Sequence, residues 1–169
     1  MNPWPKQSPA EMNAFYGNPD ADHNGVPDRA WEDANLTSIT PPYPMVLAWA
    51  LDQPVKTIRC HKRVALSLAK VLAGIGQHYV TLGALKAARI DRYGGAYNFR
   101  LKRGGASLSI HSWGAAIDLD PGGNAFHRHY DSAAGMMPRP VIDLFAAEGW
   151  TWGGGWSDPD CMHFQAANL

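Results

Sequence analysis

A histidine and an aspartate stand seven positions apart in the segment Ser109-Ile-His111-Ser-Trp-Gly114-Ala-Ala-Ile-Asp118, and Asp160 stands three positions before His163. Imidazole and carboxylate are both good zinc ligands, and a catalytic zinc centre uses three protein ligands with a fourth position kept for water. His111, Asp118 and His163 meet that count if a turn at Gly114 leads into a strand carrying Asp118. Asp160 is then left over. Three positions ahead of a ligand, it can sit beside the water without binding the metal. Zinc lowers the pKa of its bound water from about 16 to about 7. A nearby carboxylate can take the proton as the water attacks an amide carbonyl, then hand it to the leaving amine. The tetrahedral intermediate carries a negative oxygen, which a fixed cation stabilises by roughly 3 kcal/mol, by analogy with oxyanion-hole donors. Arg100 is the candidate cation.

Other residues compete for these roles. His127 and His129 form a His-x-His pair, but they lie in a polar loop and the ligand count is already met, so a cleft rim or surface loop is expected. Cys161 stands beside Asp160 and should point away from the pocket in an extended segment, packing inside. The run Asp20-Ala-Asp22-His-Asn24-Gly25 echoes the start of a calcium loop, yet its twelfth position is Trp31 rather than Glu. A turn stabilised by Asp and Asn side chains is the better reading. Trp113, Trp152 and Trp156 lie near the ligands in sequence and fit either cleft walls or core packing.

Several elements must position these groups. Residues 1–40 are rich in Pro, Asn, Asp and Gly and read as an irregular arm wrapping the domain, anchored by Trp4, Phe15, Tyr16 and Trp31. A strand is expected over 55–60. Residues 63–78 carry Val64, Leu68, Val71, Leu72 and Ile75 at helical spacing. Another strand is expected over 88–93, then a turn at Gly94-Gly95 and an extended stretch over 97–101. Residues 115–119 read as a buried strand. Pro138 opens a helix that Gly149 closes. Residues 150–152 and 162–165 supply the last strands. Strands and helices mix without a βαβ rhythm, so the expected class is α+β: one domain over 1–169, with a small antiparallel sheet forming the cleft between flanking helices.

The 169 residues can bury a proper core without staples. Fifteen basic and fifteen acidic side chains cancel. The local basic run Arg100, Lys102 and Arg103 is too short for a nucleic-acid track. Cys60 and Cys161 are distant in sequence and read as free thiols in a reducing compartment. The N-terminal segment lacks a basic stretch followed by an apolar run, and no segment approaches membrane-spanning length. A chain made in the cytoplasm, without membrane insertion, is expected.

The pattern Ser-x-His-x-x-Gly-x-Ala-x-Asp at 109–118, followed by Asp-x-x-His at 160–163, resembles a family of zinc peptidases. That family includes D-alanyl-D-alanine carboxypeptidases and phage L-alanyl-D-glutamate endopeptidases, and it shares a metal-site fold with lysostaphin-type enzymes and the hedgehog signalling domain. Tyr97-Asn98-Phe99-Arg100 is similar to the family's substrate-clamping arginine segment, and the Gly and Trp run over 149–156 is similar to the stretch before its last ligand. Less specifically, Phe15-Tyr16-Gly17, Asn35-Leu36 and His61-Lys62-Arg63-Val64 resemble the N-terminal half of small phage members. The resemblance implies one zinc ion per chain on His111, Asp118 and His163, with Asp160 as base and Arg100 as carbonyl clamp. It also implies a supporting or substrate-contacting hydroxyl at Ser109. The implied substrate is a peptidoglycan stem peptide, met by a monomer that reaches the cell wall through a release partner such as a holin. One departure from the pattern is Gln165, where an acidic residue is more usual after His-Phe; that position bears on ligand orientation.

Overall fold

The computed structural model describes residues 3–169; the first two residues of the expected arm lie outside them. Two short helices come first, α1 (Pro9–Tyr16) and α2 (Arg29–Asn35), then strand β1 (Leu36–Ile39). A hairpin follows, β2 (Val46–Leu47) and β3 (Ala50–Pro54), and then β4 (Ile58–His61). The long helix α3 (Lys62–Tyr79) and the short α4 (Leu82–Ala87) lead to β5 (Arg92–Gly95). A 3-10 turn (Ile110–Trp113) precedes β6 (Ala116–Leu119). Helix α5 (Arg139–Ala147), β7 (Thr151–Trp152), a second 3-10 turn (Gly153–Gly155) and β8 (His163–Gln165) complete the chain.

The class is α+β, with two sheets. β1 and β4 pair antiparallel by themselves. The six-stranded sheet runs β3-β2-β5-β6-β8-β7, antiparallel throughout except for the β2–β5 pair. α3 buries Val64, Leu68, Val71, Leu72 and Ile75, the stripe that its sequence spacing requires. α5 sets Val141, Ile142 and Phe145 against the same core. Phe145 stacks on Phe164 of β8, with ring centroids 3.9 Å apart. That contact fixes the faces of β8. Phe164 points into the core, so His163 and Gln165 must point the other way.

The N-terminal stretch holds two capped helices where irregular chain was expected. Ser8 accepts a hydrogen bond from the Glu11 amide with Pro9 at the first helical position, and Asp28 accepts from the Ala30 and Trp31 amides. Each helix is too short to show a clear period, so only its caps mark it in sequence. Tyr16 and Trp31 are buried, and Trp4 and Phe15 pack on the core. Asp20, Asp22 and Asn24 spend their side chains on their own turn, accepting from the amides of Gly25, Asn24 and Val26 respectively. α4 was not expected at all. Gly94 and Gly95, expected as a turn, lie within β5 at a register shift against β6. Residues 97–101 form no regular strand; one isolated bridge joins Leu101 to Leu108. No helix among the described residues is long and apolar enough to cross a membrane.

His61 connects the two halves of the fold. Its Nε2–H donates to the Tyr16 carbonyl at 3.0 Å, while its Nδ1 accepts from the Arg63 amide at 3.0 Å and so caps α3. That arrangement needs the neutral imidazole. Burial, with Arg63 and Lys62 nearby, pushes the pKa down to about 4. Between pH 6.5 and about 4 the unfolded chain therefore binds a proton that the folded chain refuses, and stability falls as pH drops through that window. The full loss is about 3 kcal/mol. In denaturant titrations at stepped pH, the stability gap between wild type and His61→Gln should narrow from pH 7 to pH 4. A gap that stays constant would show that His61 does not carry the effect.

Candidate metal centre and cleft

Each predicted ligand is delivered by a different local device. Asp118 and His163 face each other as register partners on β6 and β8. His111 lies in the 3-10 turn, which Gly114 ends with φ +66°. A side chain at Gly114 is excluded twice over: that φ disfavours it, and a Cβ would come within 2.8 Å of the His61 backbone nitrogen. The Gly114 carbonyl in turn accepts from the His61 amide at 2.9 Å, tying the ligand turn to the start of α3.

The three side chains converge. His163 Nδ1 lies 3.0 Å from Asp118 Oδ1, His111 Nε2 lies 3.3 Å from the same oxygen, and the two nitrogens are 3.2 Å apart. Tetrahedral zinc with bonds of about 2.0–2.1 Å places its ligand atoms roughly 3.3 Å from one another. The triangle fits. The tautomers are fixed by neighbouring groups. His111 Nδ1–H donates to the Ala96 carbonyl at 2.6 Å, which leaves Nε2 as a lone pair. Gln165 gives its amide N–H to the Ala167 carbonyl, so its Oε1 accepts from His163 Nε2–H at 3.1 Å. His163 Nδ1 is then a lone pair as well. Two imidazole lone pairs and a carboxylate oxygen share one small volume, and a cation is what such a set requires. Burial opposes charge on Asp118, but His111 and His163 outweigh it and hold the carboxyl far below its usual range. Burial likewise opposes a charged His163, and Asp118 outweighs it, raising that pKa.

Gln165 thus takes the place of the acidic neighbour that the sequence pattern favours. A neutral amide does the same orienting work, since only an acceptor for His163 Nε2–H is needed. Its Nε2 also donates to Gln7 Oε1 at 3.2 Å, which brings the N-terminal segment up to the centre.

A cleft of about 370 Å³ opens beside the ligands, within the size range of small-molecule sites. Asp160, Arg100 and Ser109 all line it. Asp160 Oδ1 is buried with no hydrogen-bond partner. Burial is the main cause that raises its pKa; His163 pulls the other way, and Asp118 adds to the rise. The Gly153–Gly155 turn sets this residue: a Cβ on Gly153 would stand 2.6 Å from the Asp160 carbonyl oxygen, and the Asp160 amide donates to the Gly153 carbonyl. Arg100 is fixed through its backbone. Ser112 Oγ accepts from the Arg100 amide at 3.0 Å and donates to its carbonyl at 2.8 Å. The Ser109 amide donates to that same carbonyl. Ser112, not singled out in the sequence, is therefore the hydroxyl that locks the arginine segment to the ligand turn.

The competing residues sit elsewhere. His127 pairs with Asp158 at the exposed rim. Cys161 is buried with its thiol toward the Arg128 carbonyl, and Cys60 is buried in the core; both are free thiols. Trp113 is fully buried and donates to the Gly17 carbonyl, while Trp152 donates to the Cys161 carbonyl and meets Tyr130 edge-on. Of the three tryptophans weighed as cleft walls, Trp156 lines it, with its ring 5.5 Å from that of His163.

Residues 103–166 match the model of a family described as D-alanyl-D-alanine carboxypeptidase, a little over a third of the chain. The matched stretch contains all three candidate ligands and Asp160, while Arg100 lies just outside it. No curated protein and no solved structure matches the chain. Site and match together support a hydrolase of the zinc-peptidase class.

Proposed function

We propose that this chain hydrolyses peptidoglycan stem peptides as a zinc peptidase, and that it cuts the L-alanyl-D-glutamate bond in the manner of a phage endolysin. The observation that carries the peptidase reading is the unpartnered, buried Asp160 carboxylate lining the cleft beside a three-ligand centre. A purely structural zinc site has no use for such a group. His111, Asp118 and His163 would hold the metal, which supplies a Lewis acid and a water acidified to a pKa of about 7. Asp160 takes the proton of the attacking water and returns it to the leaving amine. Arg100 donates to the carbonyl oxygen as charge gathers there, and Ser112 holds its backbone in register with His111. Ser109, on the cleft wall, is placed to meet the peptide. We assign the chain a monomeric state, a cell-wall site of action and a holin-like partner for release.

The description of the matching family favours a second reading, removal of a terminal D-alanine by the same centre. Mass spectrometry of digested sacculi separates the two. A new free D-glutamate amine supports the endopeptidase, and loss of terminal alanine supports the carboxypeptidase. Dialysis against a chelator should abolish either product and added zinc should restore it. Products that persist after complete metal removal would overturn both, and a chain that binds sacculi but releases nothing would be a wall-binding module.

A further inference from the structure

The short basic run that is too small for nucleic acid has another use. Arg100, Lys102 and Arg103 all line the cleft. The loop bearing the last two is closed tightly. Leu101 bridges Leu108, the Lys102 amide donates to the Ser107 carbonyl at 2.9 Å, and the Gly105 amide donates back to the Lys102 carbonyl at 3.0 Å. The Arg103 guanidinium lies over Phe126, 5.5 Å from the ring centroid, and Phe126 belongs to the same cleft. A cation resting on an aromatic face is partly positioned before any ligand arrives.

None of these three cations forms an ion pair among the described residues, whereas Arg29 and Arg139 each find an aspartate. Two of the cleft's carboxylates are already engaged. Asp118 belongs to the metal centre, and Asp158 is paired with His127. Asp160 feels the charge of Arg103 without a hydrogen bond to it. The positive charge on this wall therefore remains for something that enters.

We propose that Lys102 and Arg103 form a carboxylate subsite, making the preferred substrate a peptide with a free carboxylate close to the scissile bond. This rests on the peptidase reading above and narrows it. The carboxylate has two chemical sources: the free α-carboxylate of an internal, γ-linked D-glutamate, or the terminal carboxylate of a chain ending in D-alanine. Amidation removes the charge from either and leaves the cations covered without a partner.

Calorimetry on the zinc-loaded chain tests this, with an Asp160→Asn background to keep probes intact. One probe pair is N-acetyl-L-alanyl-γ-D-glutamyl-L-lysine and its D-glutamate α-amide; the other is N-acetyl-D-alanyl-D-alanine and its terminal amide. The acid of one pair should bind roughly ten- to hundredfold tighter than its amide, and the pair that responds identifies the source. The preference should shrink as salt rises. In Lys102→Gln/Arg103→Gln the ratio should fall to within about twofold, and Lys102→Arg should keep most of it. No preference in either pair, no binding of any probe, or a preference that survives in the double variant would overturn the subsite. Turnover of the same pairs by the Asp160-containing chain separates this from the wider reading. An acid preference in binding with no cleavage of any peptide sinks the peptidase and leaves the subsite standing, while cleavage indifferent to amidation does the reverse.

Discussion

Replacing Asp160 with Asn should lower kcat on stem peptides by roughly 10²–10⁴-fold while zinc stays at one ion per chain. Asn keeps the shape of the side chain but cannot accept the proton from the attacking water. The three ligands do not depend on Asp160 for their orientation. His111 leans on Ala96, His163 leans on Gln165 and Asp118, and no hydrogen bond runs from the Asp160 carboxylate to any of them. Zinc content and thermal midpoint should therefore match wild type. The change should appear in kcat with little movement in KM, because proton transfer belongs to the transition state. Steady-state kinetics together with metal analysis decides the matter. A fall below about tenfold would remove Asp160 from the base role, and a parallel loss of zinc would make it a support for the centre instead.

His111→Ala should abolish both turnover and tight zinc binding. The loss in metal affinity should exceed the roughly 10–100-fold seen when a ligand merely loses its hydrogen-bond partner. The variant would leave two ligands and an Ala96 carbonyl without its donor. Wild type should gain thermal stability as zinc is added, since the folded centre binds metal and the unfolded chain does so poorly. In the variant that zinc-dependent rise should vanish. Equilibrium dialysis and thermal unfolding across a zinc series measure both effects. Retention of tight, stoichiometric zinc would show that the metal sits elsewhere.

The centre was legible in the sequence because its geometry is mostly local. Gly114 closes a short turn, one strand places Asp118, and Asp-x-x-His keeps Asp160 near His163 by chain connection alone. The long helix and α5 were legible too, since an apolar stripe at 3.6-residue spacing or a Pro start and Gly stop is written in consecutive residues. What escaped depends on distant partners. Ser112 matters because Arg100 lies across from it, and Gln165 because its amide finds Ala167 and Gln7. The stacking of Arg103 on Phe126 joins separate loops. The helices α1, α2 and α4 are six to eight residues long, too short for periodicity to declare them. Gly94 and Gly95 read as a turn but lie in β5, where Gly95 pairs with Asp118 of β6 and tertiary pairing overrides the local preference.

Asp118 and His163 owe their meeting to the pairing of β6 with β8, and that has an evolutionary corollary. Side chains alternate along a strand, so inserting or deleting one residue within either would swing the ligand into the oily interior and bring Ile117 or Phe164 to the metal. The connections bearing Lys102, Phe126 and Asp158 carry no such constraint. Descendants of this chain can lengthen, shorten or recolour those connections and so reshape the cleft, while the His-Asp-His cluster is inherited intact.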